Sequence, residues 1–311
     1  MKNKLQVGGQ AVIEGVMMRS PDRVAVAVRR PDGKIVLKND PYQSLTKRNK
    51  FWGLPSIRGG VILIESMILG IKALTFSGDI AIGEDEKTKK PDQARKKGLS
   101  TLWLIATIVF SLGIGLALFF YLPLVLTDLV GAKSGFWFNV VDGLFRVIIF
   151  LLYLSMITLW KDIQRIFQYH GAEHKTIFAF EAGHELTVEN SRGFTPYHPR
   201  CGTSFILTVL LVSIVVFMAF GRPETIFDRL LRLAFVPLIG GLSYELIKLS
   251  DKRQDNPIVK MFIKPGLWLQ KITAREPDES MLEVALVALK GSLGISFQDD
   301  PNVVLAVESE P

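Results

Sequence analysis

Long charge-free runs predict an α-helical polytopic membrane protein with about four transmembrane helices. A small β-rich N-terminal cytoplasmic domain and a helical C-terminal tail complete the expected fold class. Three observations carry this expectation. The mean hydropathy of the 311-residue chain is +0.29, several apolar runs reach the length of a bilayer crossing, and the basic residues gather on one side of those runs. The single cysteine excludes an internal disulfide and fits a reducing compartment. A net charge of +7 would suit nucleic acid, but positive loops facing anionic lipid account for it in a membrane protein. Membrane lipid is therefore the expected partner and nucleic acid is not; an oligomer stays open.

Residues 1–56 read as the β-rich domain. Val24-Ala-Val-Ala-Val28 and Lys34-Ile-Val-Leu37 flank the turn word Pro31-Asp32-Gly33, which predicts a hairpin. Ahead of it, Gly8, Gly9 and Gly15 suggest tight turns or close backbone approach, with Glu14 presented between them. Met1 to Ser20 carry no apolar stretch of the secretory kind, so internal spans are expected to direct insertion. Residues 57–82 are apolar but carry Arg58, Glu65 and Lys72 seven apart, one polar stripe on a helix. An interfacial helix, or one packed on the spans, fits that stripe better than a crossing. Residues 83–97 read as a charged linker.

The membrane domain is expected over 98–250, with spans at 99–127, 136–160, 203–220 and 230–247. Asp142 and Arg146 lie four apart on the second, where they can pair and relieve each other's desolvation. Pro237 and Gly240-Gly241 permit a kink or close helix approach in the fourth. Arg95, Lys96 and Lys97 precede the first span. Lys161, Arg165, Lys175, Arg192 and Arg200 fill the loop 161–202, and Lys252, Arg253, Lys260 and Lys264 follow the fourth span. Between the first two spans stands only Lys133. This asymmetry puts both termini and the 161–202 loop in the cytoplasm of a multi-pass plasma-membrane protein. The tail, 251–311, reads as a cytoplasmic appendage with a capped amphipathic helix after Thr273, without chemistry of its own and packed on the N-terminal domain.

The chemistry concentrates in one loop. All four histidines and the one cysteine fall between His170 and Cys201. His170, Glu173 and His174 have the spacing H-x-x-E-H, which on a helix sets two imidazoles one turn apart with a carboxylate beside them. That spacing is the signature of inverted zinc peptidases, in which the histidines hold the metal and the Glu activates water. The alternative is a pair of surface or buried histidines with hydrogen-bonding roles, and the further His and Cys close by favour the metal. The expected metal donors are His170, His174, His198 and Cys201, with Glu173 catalytic. His184, Glu245 and Glu14 are further candidates, and the cofactor is a divalent ion, zinc by preference. Glu245 enters as the one acidic residue of the fourth span, an ionisable group at a depth where such groups serve function.

The words G-G-Q-A-V-I-E-G-V-M-M-R at 8–19, Y-H-G-A-E-H-K at 169–175 and H-P-R-C-G-T-S-F at 198–205 together resemble the YqhQ family. The likeness extends over nearly the whole chain, including the Arg275-Glu-Pro-Asp278 stretch of the tail. These bacterial membrane proteins are described as predicted metal-dependent enzymes, so the resemblance implies that His170, Glu173 and His174 are site residues. Three functions compete: a metal-dependent hydrolase, a scaffold clipped by a structural metal, and a transport or lipid-handling protein in which Asp142, Arg146 and Glu245 line a path.

Overall fold

The computed structural model describes residues 5–55, 57–83, 93–252, 256–297 and 300–306. Residues 84–92 of the expected linker, and Arg253, lie outside the described residues. The fold is mostly helical, with one sheet assembled largely from the N-terminal residues. β1 (Gly8–Val12), β2 (Gly15–Arg19), β3 (Arg23–Arg29) and β4 (Ile35–Pro41) form an antiparallel meander, and β5 (Val303–Leu305) adds to β4 in parallel. The hairpin expected at Pro31-Asp32-Gly33 joins β3 to β4. Gly33 takes a φ of +87°, the left-handed conformation that glycine adopts without a Cβ penalty.

The helices are α1 (Leu45–Arg48), α2 (Ile57–Ala81), α3 (Gln93–Leu116), α4 (Leu122–Val130), α5 (Gly135–Ile157), α6 (Lys161–Ala182) and α7 (Val188–Arg192). After them come α8 (Gly202–Met218), α9 (Ile226–Ala234), α10 (Val236–Lys252), α11 (Pro257–Thr273) and α12 (Glu279–Ser292). One π-helical turn, Ala117–Tyr121, links α3 to α4. Among the described residues, four helical stretches are long and apolar enough to cross a membrane: Ile57–Ala81, Ile105–Val130, Gly135–Ile157 and Ile226–Ser250. Gly202–Met218 is apolar but shorter.

Both faces of the sheet are covered, which is why β3 reads as a continuous apolar run. Val16, Met18, Ala25, Ala27, Ile35 and Leu37 point to one side, where α12 and α6 close over them with Met281, Leu282, Ala285, Tyr169 and Ala172. Met17, Val24, Val26, Val28 and Val36 point to the other, against Ala73 and Ile80 of α2. Each such large side chain, fully buried, contributes about 1.5–3 kcal/mol. Residues from α2, α6 and α12 thus complete the burial of the strands that lie before residue 56. In the tail, α12 packs on this sheet as a core layer and β5 adds a strand to it.

The polar stripe of α2 has three separate destinations. Arg58 pairs with Glu245 at 2.5 Å. Glu65 is buried, accepting from Ser44 Oγ at 2.8 Å and from the Leu45 N–H at 2.6 Å. Lys72 is exposed. Near its start α2 crosses α10 closely, since a Cβ on Gly59 would lie 2.7 Å from the Cα of Gly241. Within α5, Asp142 and Arg146 pair at 2.8 Å with both side chains buried. Alongside α8 runs α11, whose Leu269 packs on Phe150 and Leu154 of α5. It delivers Thr273 to the face of α6 that carries the histidines.

Candidate metal centre

On α6, Tyr169 and Ala172 anchor the helix in the core, and this rotation carries His170 and His174 to the adjoining flank. Their ring centroids lie 4.3 Å apart. Cys201, the N-cap of α8, meets them there: its Sγ is 3.1 Å from His170 Nε2. One donor atom from each of His170, His174 and Cys201 falls within 4.8 Å of the others. His174 and Cys201 are buried and His170 is half-buried.

Both imidazoles are oriented by main-chain carbonyls. His170 Nδ1 lies 2.7 Å from the Thr273 oxygen, and His174 Nδ1 lies 2.5 Å from the Pro196 oxygen. A carbonyl only accepts, so each Nδ1 carries a proton and each Nε2 is left for the cluster. This is the outer arrangement by which metal-binding histidines are held to one tautomer. The carbonyl from Thr273 reaches His170 because Gly171 has no side chain; a Cβ there would collide with the Arg275 carbonyl oxygen. The Arg275 N–H donates to Phe167 O at 2.9 Å, and Lys175 pairs with Glu276. Residues 273–276 thus form a strap across α6.

The loop before α8 is clamped in the same manner. Gln270, fully buried, accepts from the His198 N–H at 2.7 Å and donates to the His198 carbonyl at 2.8 Å and to Ser204 Oγ at 3.0 Å.

Electrostatics follow from burial and close approach. Burial opposes a charge on His170, but the Cys201 sulfur beside it prevails and lifts the imidazole pKa to about 9. Burial also works against a Cys201 thiolate, yet His170 and then His174 hold the thiol well below its ordinary value. At Glu173 burial dominates and pushes the carboxyl upward, countered in part by His174 and His170. Glu173 stands between the histidines and the sheet. A Cβ on Gly9 would lie 3.0 Å from its Cδ, so the glycine of β1 makes room for this carboxylate.

The other candidates stand apart from this trio. His198 is buried next to it, its ring centroid 5.7 Å from that of His174. Its Nδ1 accepts from the Arg200 N–H at 3.2 Å, and its Nε2 lies 3.3 Å from Glu181. Both ring nitrogens of His198 are thus engaged, and it lies outside the group of three donors. His184 is exposed against Phe194. Glu245 is held by Arg58. Glu14, at φ +52° in the turn between β1 and β2, pairs with Arg165 and ties the hairpin to α6. Thr273, Pro196 and Gln270 escaped the sequence reading because backbone carbonyls and neutral amides leave no spacing signature. The one visible clue was the small residue Gly171 between two histidines.

A helical protein with a two-faced sheet and a buried His–His–Cys cluster is the class that these observations define. The chain belongs to the family described as "Protein of unknown function (DUF1385)", whose family model matches residues 54–294. It is similar to "Uncharacterized protein YqhQ" of Bacillus subtilis (strain 168), 34% identical over 303 residues that cover 95% of this chain and 94% of the relative. No solved structure matches it.

Proposed function

We propose that this chain is a multi-pass plasma-membrane protein with a divalent metal centre at the cytoplasmic surface, working as a metal-dependent hydrolase. The observation that carries the reading is the trio itself: three donors within 4.8 Å, two of them imidazoles whose Nδ1 protons are committed to carbonyls. Two nitrogens and one thiolate would suit zinc, and three protein donors would leave room for water or substrate at a bound ion. A bound ion of this kind supplies Lewis acidity to a water molecule and to a carbonyl.

The protein's own residues do the rest. His170, His174 and Cys201 fix the position, and the strap and the Pro196 carbonyl hold the rings. Glu173, on the same helix turn, accepts the proton of the attacking water and returns it to the leaving group. Residues 105–130, 135–157, 202–218 and 226–250 supply the crossings. α2 lies along the surface, because Glu65, Ala73 and Ile80 belong to the sheet domain. The cytoplasmic side is assigned by the basic residues of 161–202.

The scaffold reading differs in requiring a closed, four-donor site, and the transport reading requires charges that line a path. Asp142 closes onto Arg146 and Glu245 onto Arg58, which favours pairing over a path. Elemental analysis of the purified protein and of His170→Ala tests the proposal. One equivalent of metal is expected in the first and none in the second; metal-free wild-type protein would overturn it.

A further inference from the structure

Among the described residues, the edge of the sheet nearest Glu173 is open: β1 is an outer strand there, paired only with β2. Its hydrogen-bonding register follows from the next pairing: the Arg29 N–H donates to Glu14 O at 2.8 Å, so Glu14 and Arg29 form a hydrogen-bonded pair. By alternation, Val16 and Met18 then bond toward β3, while Gly15, Met17 and Arg19 bond toward β1. Their partners Val12, Gln10 and Gly8 are turned inward. Gly9 and Ala11 therefore direct their N–H and C=O groups outward, and among the described residues no backbone group bonds to them.

Such edges are ordinarily protected by lysine, proline, bulges or a covering element. This one reads Gly-Gly-Gln-Ala-Val, with no charge and no proline. Gly8 and Gly9 are exposed, and a Cβ at Gly8 would meet nothing within 4 Å. The two sides of the edge are walled. On one, the Glu173 carboxylate stands over Gly9. On the other, Gln10 lies against Gly70 of α2, and Ser77 Oγ takes the Ile13 N–H at 3.2 Å to close the far end.

We infer that this edge is the substrate cleft: an extended polypeptide adds to β1 as a further strand and lays one of its amide bonds beside Glu173 and the His170–His174–Cys201 trio. The substrate class is thus an unfolded or extended protein segment held chiefly through its main chain, the mode known as strand addition. This rests on the hydrolase reading above. In the step, the oxygen of water bonds to the amide carbon and the C–N bond breaks. The proton that Glu173 takes from water passes to the departing nitrogen, leaving one carboxylic acid and one amine.

The test uses the full-length protein in detergent, purified with its metal, and two probes: acetohydroxamate and N-acetyl-tetra-alanine hydroxamate. Both can ligate the metal, but only the second carries a main chain for β1. The peptide hydroxamate is expected to bind at least about tenfold more tightly, and that excess is expected to vanish in Ala11→Pro. A proline on an edge strand with its nitrogen facing outward is compatible with the sheet, so this variant retains its metal and its affinity for acetohydroxamate. As a measurement without substitution, hydrogen exchange at the Gly9 and Ala11 amides should slow when the peptide hydroxamate binds and stay unchanged with acetohydroxamate. Equal affinity for the two probes, or an excess that survives Ala11→Pro together with unprotected amides, would overturn the cleft and leave the metal reading standing. Wild-type protein that binds no metal would overturn the metal reading and this one with it.

Discussion

Gly171 and Arg275 meet backbone to backbone: any side chain on the glycine would collide with the arginine's carbonyl oxygen. The strap that places a carbonyl on His170 is therefore seated on a gap in α6. Gly171→Ala should cost about 1–3 kcal/mol from overpacking. By pulling Thr273 away from His170, it should also weaken metal binding roughly 10–100-fold. Thermal unfolding and a competitive metal titration measure the two effects. An alanine variant with wild-type stability and affinity would contradict the close approach.

The donor set makes a sharper distinction. Elemental analysis should find metal absent from His174→Ala and Cys201→Ala. It should be retained in His184→Ala, whose ring is exposed on Phe194. His198→Ala should also keep the ion, though with a looser loop, because both its ring nitrogens already face other partners. Loss of the metal from His198→Ala without loss of folded protein would move the site to four donors and a structural role.

Glu173→Gln separates catalysis from architecture. The amide keeps the size of the side chain but cannot take a proton, so turnover should fall on the order of 10²–10⁴-fold. Metal content and membrane abundance should stay normal. A glutamine variant that keeps its metal and fully complements a deletion strain would exclude Glu173 as the base.

Within α5, the buried Asp142–Arg146 pair should show the asymmetry of desolvated charges. Asp142→Asn strands an uncompensated guanidinium and should cost about 3–5 kcal/mol. The double variant Asp142→Leu, Arg146→Met removes both charges and should recover most of that loss. Unfolding of the wild type and the two variants in denaturant compares them; a double variant no more stable than Asp142→Asn would argue that the two charges do not act as a pair.

Sidedness can be checked with single cysteines in a Cys201→Ala background. A cysteine at Lys133, between α4 and α5, should react with an impermeant thiol reagent added outside intact cells. Reaction only after the inner face is opened would reverse the orientation.

What the sequence displayed about this protein depended on how local each signal was. The Val24–Val28 run and the Pro31-Asp32-Gly33 turn are short-range features, and the β3–β4 hairpin stands where they put it. His170, Glu173 and His174 sit on one helix, so their spacing alone implied their proximity. Cys201 was within reach because it opens the next apolar helix. The hydropathy of α2 could not reveal that its apolar face covers a sheet, since water exclusion by strands and by lipid leaves the same composition. The partnership of Glu245 with Arg58, 187 positions apart, has no periodicity to betray it. Nor could spacing show that the carbonyls of Pro196 and Thr273 orient the two rings, because every residue has a carbonyl.

β5 lies beside β4 in the finished sheet, with Ile35 opposite Val303. On the ribosome, however, the two are made far apart, with every helix of the fold between them. Strands β1 to β4 emerge early, yet α12 and the strap are synthesised only after every apolar helix through α10. At roughly 5–20 residues per second, the young meander waits on the order of ten seconds or more for its missing layer. During that interval Val16, Met18 and Leu37 lack the cover that α12 gives them, and His170 lacks its carbonyl. Assembly of the centre thus has to wait for the strap. A nascent chain cut short before Thr273 would still aim His174 through Pro196 but not His170, so ribosome stalling after α10 would yield a protein without a complete site.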